Sequence, residues 1–107
     1  MVHFIALELN GARLPDEVAR IERAIQSMGD AYAFQRTCWF VETERSNREI
    51  CATLAELLRP KDRLIVTRIH RDWVSANVAD VETEWLSQRN FHSPNDAAAV
   101  VSPVPPR

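Results

Sequence analysis

The sequence predicts one α+β domain in the order β-α-β-β-α-β, a four-stranded antiparallel sheet with two helices on one face. Three observations carry that reading. Apolar runs rich in β-branched and aromatic residues recur at 2–9, 31–44 and 63–70. Two amphipathic segments with recognisable ends lie between them. The 107 residues are enough for one domain and one modest core.

The first run, VHFIALEL (2–9), is closed by the turn signal Asn10-Gly11. LPDEVARIERAIQSMG (14–29) follows, with Val18, Ile21, Ile25 and Met28 at helical spacing. Pro15 suits its first position, Asp16 and Glu17 complement the helix dipole in its first turn, and Gly29 suits its stop. Residues 31–44, AYAFQRTCWFVETE, are too long for one ordinary strand. They divide into strands at about 31–35 and 38–43, bent near Gln35-Arg36. A capping box opens the second helix, with Ser46 as N-cap and Glu49 three residues on. Ile50, Leu54, Leu57 and Leu58 form its apolar stripe, and Pro60 ends it. RLIVTRIH (63–70) is the last strand of the sheet. Trp73–Ala76 reads as a short edge strand, and 79–88 as a short helix with Val81 and Trp85 on one side. The order is the split βαβ pattern of the ferredoxin-like fold, with an appended C-terminal strand and helix completing a domain over 1–91. The stretch from His92 holds four of the six prolines and is expected to be a disordered tail.

Composition narrows the function classes. Hydrophobic residues at 46% and charged residues at 26% are ordinary for a globular chain. The net charge of -2 lacks the basic footprint of most nucleic-acid binders. A local cluster of Arg63, Arg68, His70 and Arg71 is nonetheless a candidate contact for phosphate. Cys38 and Cys51 are too few for a disulfide framework or a zinc site and read as free thiols of a reducing compartment. Cys38 also lacks a histidine partner that would make it a nucleophile. His3 alternates with apolar neighbours and reads as a packed or edge histidine, and Trp39, Trp73 and Trp85 as core and interface anchors. His70-Arg71-Asp72 spells the kinase catalytic tripeptide, but the Gly-rich loop and Asp-Phe-Gly that kinase chemistry needs are missing from the sequence. MVHFIALELN has no basic leader and carries Glu8, so it reads as a strand rather than a signal peptide. No apolar run approaches the roughly 18 residues of a membrane span. The expectation is a cytoplasmic protein with no membrane partner.

The strands are apolar on both sides. His3, Ile5, Leu7 and Leu9 alternate with Val2, Phe4, Ala6 and Glu8; Trp39 and Val41 oppose Cys38 and Phe40; Leu64 and Val66 oppose Ile65 and Ile69. Two helices cover only one face of such a sheet, and an apolar face of that size is rarely left in water. A two-fold partner is the commoner cover, with Phe4, Ala6, Trp39 and Val66 as the expected interface residues. The intrachain alternative is segment 79–88 folding back with Trp85.

IALEL (5–9), QRTCWFVET (35–43) and DRLIVTRI (62–69) together resemble the small ferredoxin-like subunit of the CRISPR adaptation machinery and its SinR-like and VapD-like relatives. The SinR-like group is closest, through Trp39-Phe40-Val41-Glu42-Thr43 followed by Ser46 opening the second helix. The resemblance covers roughly residues 2–76 and implies a homodimer of ferredoxin-like protomers. In the CRISPR subfamily a first-strand aspartate from each protomer faces its mate and can hold a divalent metal for phosphodiester cleavage. Glu8 stands at that position, one methylene longer, and is the candidate catalytic and Mg²⁺-binding residue. Three readings follow. The leading one is a homodimeric, non-catalytic or weakly catalytic module presenting a surface to a protein or nucleic-acid partner. The others are a toxin-like Mg²⁺-dependent endoribonuclease using Glu8 from both protomers, and a small-ligand sensor on the same fold.

Overall fold

A computed structural model of the chain describes residues 1–92. Strands β1 (Val2–Glu8), β2 (Asp30–Gln35), β3 (Cys38–Glu42) and β4 (Arg63–Ile69) form one sheet in the order β2-β3-β1-β4. Every neighbouring pair is antiparallel. β1 and β2 are therefore parallel with β3 between them, and β3 and β4 are parallel with β1 between them. Two interleaved split βαβ units of this kind are the ferredoxin-like arrangement. The register decides which side chains share a face. Ile5 stands between Trp39 and Val66, Phe4 between Phe40 and Thr67, and Ala6 between Cys38 and Ile65.

Helices α1 (Pro15–Gln26) and α2 (Asn47–Ala55) cover the face that carries Ile5, Leu7, Trp39 and Val41. Ile21, Ile25 and Met28 come down from α1 and its exit, and Ile50 and Leu54 from α2. Each fully buried aliphatic side chain contributes about 1.5–3 kcal/mol of transfer free energy here. The capping box expected at the start of α2 forms. The Ser46 hydroxyl accepts the Glu49 N–H at 3.1 Å, and Glu49 Oε1 accepts the Ser46 N–H at 3.5 Å. The second helix ends at Ala55 rather than at Pro60, and a non-helical turn brings Leu57 and Leu58 against the core. Gly29 is required for a different reason than a helix stop. A Cβ there would lie 2.1 Å from the Glu42 carbonyl oxygen, so only glycine lets α1 hand over to β2 beside β3.

The second face is where the sequence reading needs revision. A third helix, α3 (Asp80–Ser87), folds back across it, so helices stand on both sides of the sheet. Leu86 and Phe91 bury with Val2 and Phe40, and Phe4, Phe34, Ile69, Trp73 and Trp85 pack around them. The rings of Phe4, Phe34 and Trp85 lie within 5.2–6.4 Å of Phe40. The intrachain alternative thus covers the Val2–Phe4 end of this face. No strand forms at Trp73–Ala76. That segment crosses toward α3 instead of running beside β4, placing Trp73 on the second core and leaving Val74 94% exposed. Asn77 turns it with φ of 57°, a left-handed conformation that asparagine tolerates.

Arg89 fastens the returning segment. Its guanidinium pairs with Asp30 and, at 3.3 Å, with Glu42, and it lies 4.5 Å from the centre of the Trp85 ring. Glu42 also accepts the Asn90 N–H at 2.7 Å, and Arg68 donates to the Phe91 carbonyl at 2.8 Å. Among the described residues no helix is long and apolar enough to cross a membrane. Apart from His92, the tail expected to be disordered lies outside the described residues.

Candidate functional site

α3 stops short of one end of the second face. What it leaves bare is a strip of β1, β3 and β4 made of Ala6, Glu8, Cys38, Arg63 and Ile65. These residues line an open groove of about 440 Å³ together with Leu7 and Leu64. The strip exists because three registers coincide. Ala6 is opposite both Cys38 and Ile65, and Glu8 is opposite Arg63, so short-range alternation carries all five side chains to the same side. Ile65 is 66% exposed, large for a β-branched residue in mid-strand. Cys38 is a half-buried free thiol.

Charge frames this apolar strip. Glu8 Oε1 lies 4.0 Å from Arg63 Nη1 and 3.4 Å from Asn10 Nδ2. Both charged side chains are mostly in solvent, at 58% and 78% exposure, so their mutual attraction is worth about 0–1 kcal/mol. Glu8 occupies the face expected for it, on the same side of β1 as Phe4 and Ala6. Among the described residues no group of three or more His, Cys, Asp or Glu side chains is arranged to hold a metal ion. Within the chain the nearest charged partner of Glu8 is thus the Arg63 guanidinium.

A polar clasp next to the strip holds the β1–α1 and α2–β4 connections together, and sequence spacing gave no sign of it. The Asp62 side chain is fully buried and accepts from the Asn10 N–H at 2.9 Å, the Arg59 N–H at 2.7 Å and the Arg13 guanidinium. Arg59 in turn holds both oxygens of Glu17 at 2.7 Å and donates to the Ala12 carbonyl at 3.0 Å. Burial pushes the Asp62 carboxyl up, but the Arg59 and Asn10 backbone donors and the Arg13 guanidinium outweigh it and hold the group below its usual value. Glu17 is held down in the same way, against desolvation, by the Leu14 N–H, Arg59 and Arg13. The clasp fixes the loop that carries Asn10 and hence the end of β1 where Glu8 sits. Its one legible trace in the sequence is an aspartate leading the last strand.

The remaining candidates are dispersed. Trp39 and Val66 point to the helix-covered face, Trp39 being 7% exposed, whereas Phe4 and Ala6 are on the other. The four expected interface residues therefore do not form one surface, because the register aligns Trp39 and Val66 with Ile5 rather than with Phe4. Arg63 stands at the opposite end of β4 from Arg68, His70 and Arg71. A seven-residue strand separates such ends by roughly 20 Å, so the expected basic cluster is split. Arg68 bonds the Phe91 carbonyl and Arg71 stacks 5.6 Å from the Phe91 ring centre. His3 is buried in the helix-covered face, 1% exposed, with Nδ1 donating to Asn47 Oδ1 at 2.6 Å. Burial lowers its pKa, and the Asn47 hydrogen bond opposes that shift without cancelling it. No protein-family model matches the chain, and no curated protein does either.

Proposed function

We propose that the chain is a homodimeric recognition module whose two protomers meet through the bare strip of the sheet. One observation carries the reading: an apolar centre of Ala6, Cys38 and Ile65 has an acid and a base, Glu8 and Arg63, at its border. A two-fold axis running along the strands between β1 and β4 sets Glu8 of each copy against Arg63 of the other, so the surface is its own complement. The edges of the sheet are less suitable for pairing, since Arg63 and Arg68 lie on the outer strand β4 and charges on an edge strand oppose strand addition. A face-to-face contact buries the exposed Ile65 instead.

In this reading Glu8 is an ion-pair partner and not a metal ligand, because a guanidinium stands where a cation would be held. The module's further partner is a protein: the chain's net charge is -2, and Arg68 and Arg71 at the far end of β4 are engaged with Phe91. The SinR-like resemblance agrees with a ferredoxin-like homodimer. Two measurements test the proposal. Sedimentation equilibrium of the full chain gives a dimer that Ile65→Asp converts to monomer without loss of helix signal. Structured RNA incubated with the protein and Mg²⁺ stays intact; cleavage that vanishes in Glu8→Gln replaces the module with an endoribonuclease that shares Glu8 across the interface.

A further inference from the structure

Beneath α3, on the covered half of the second face, is a cavity of about 310 Å³ that the dimer reading does not use. Its floor is Phe34, Phe40 and Ile69, and its walls are Trp73 and Leu86. At roughly 30 Å³ per water-sized volume the space takes a molecule of about ten non-hydrogen atoms. Ligand cavities are typically this mixture, a mostly apolar and aromatic lining with very few polar groups that select the ligand.

The polar groups select sharply here. Ser75 is exposed at the opening, and the Thr83 hydroxyl is committed to the Asp80 carbonyl at 3.0 Å. Glu82 is half-buried at the cavity wall, and its carboxylate makes no hydrogen bond or ion pair among the described residues. Three aromatic side chains, Phe34, Phe40 and Trp73, thus line a space whose charged group is a carboxylate. A carboxylate in a partly desolvated setting attracts a cation and repels an anion, and the aromatic lining offers apolar surface to the rest of the ligand. Val74, 94% exposed, adds an apolar lip where water would otherwise reach the opening.

We propose that this cavity binds a small hydrophobic cation, an apolar or aromatic body of about ten heavy atoms carrying one ammonium group. The aromatic floor takes the body, and Glu82 takes the charge. Binding is independent of the dimer contact, since the cavity and the bare strip share no residue.

The test is calorimetric titration of the full-length protein with 2-phenylethylammonium, beside neutral 2-phenylethanol and anionic phenylacetate. The ammonium binds, the alcohol binds roughly tenfold more weakly, and the anion does not bind, as a partly desolvated ion-pair site requires. Glu82→Gln brings the ammonium down to the affinity of the alcohol while the thermal midpoint stays unchanged. Phe34→Leu weakens both ligands together. Equal affinity for all three probes overturns the assignment of charge, as does a Glu82→Gln protein that still prefers the ammonium. Failure of every probe to bind overturns the cavity as a ligand site, and neither result alters the oligomeric state on which the dimer reading stands.

Discussion

Leu86→Ala is the most informative single change to the covering of the second face. Leu86 is 7% exposed and packs with Val2 and Phe40 of the sheet and with Phe91, whose carbonyl accepts from Arg68. Truncating a buried leucine costs about 2.7–5 kcal/mol, more where the surroundings cannot collapse. Here the new void opens into the 310 Å³ cavity that Leu86 already lines, so solvent fills part of it and the cost falls near the lower end, about 3 kcal/mol. For a domain of this size each kcal/mol moves the thermal midpoint by roughly 4–8 °C, which gives a drop of about 12–24 °C. Val81→Ala in the same helix is the internal control. Val81 is 59% exposed, so its loss changes stability by less than about 0.5 kcal/mol. Urea unfolding of both variants, followed by far-ultraviolet dichroism, gives the two numbers. A Leu86→Ala loss below about 1 kcal/mol, or two variants that behave alike, refutes the idea that α3 is packed on the sheet and reopens the whole face to a partner.

Three further outcomes follow from the same contacts. Gly29→Ala drives a Cβ into the Glu42 carbonyl, which cannot retreat because Glu42 is paired with Val2 and Asp30. Urea midpoints will show a loss of at least about 2–3 kcal/mol, against about 1–2 kcal/mol for Gly11→Ala, where only a φ of 83° is at stake. Arg89→Ala removes the pairs to Asp30 and Glu42 and the contact over Trp85, and costs about 1–2 kcal/mol, with the difference from wild type shrinking in molar salt. His3 is lowered by burial, so below its ordinary pKa of 6.5 the unfolded chain binds a proton that the folded chain resists. Its stabilising effect is complete above that value and is lost as pH falls through the folded pKa. Chemical denaturation at stepped pH will show a decline beginning below about pH 6.5 that His3→Gln flattens.

The fold was legible where local chemistry decides it. Pro15 at a first helical position, the Ser46–Glu49 box and the Asn10-Gly11 turn each state a boundary in adjacent residues. The hairpin at Arg36-Thr37 falls one residue beyond the bend expected near Gln35-Arg36, although neither residue of the turn is Gly or Pro and neither takes a positive φ. Alternation within a strand also separated Phe4, Ala6 and Glu8 from Ile5 and Leu7. It could not say that Trp39 joins Ile5 and not Phe4, because parity is known strand by strand and cross-strand register is not. The same gap hid the pairing of Glu8 with Arg63 and the clasp of Arg13 on Asp62, whose partners are far apart in the chain. At Trp73–Ala76 propensity favoured a strand, and burial of Trp73 on the second face won.

The pairing of copies through Glu8 and Arg63 is tested most directly by mixing charge-reversed chains. Glu8→Arg leaves two positive charges at each border of the strip, and Arg63→Glu leaves two negative ones, so each variant alone repels itself and sediments as a monomer. An equimolar mixture sets positive borders against negative ones, and native mass spectrometry then shows the heterodimer of one chain of each kind. Variants that dimerise alone as well as the parent, or a mixture that remains monomeric, contradict the account.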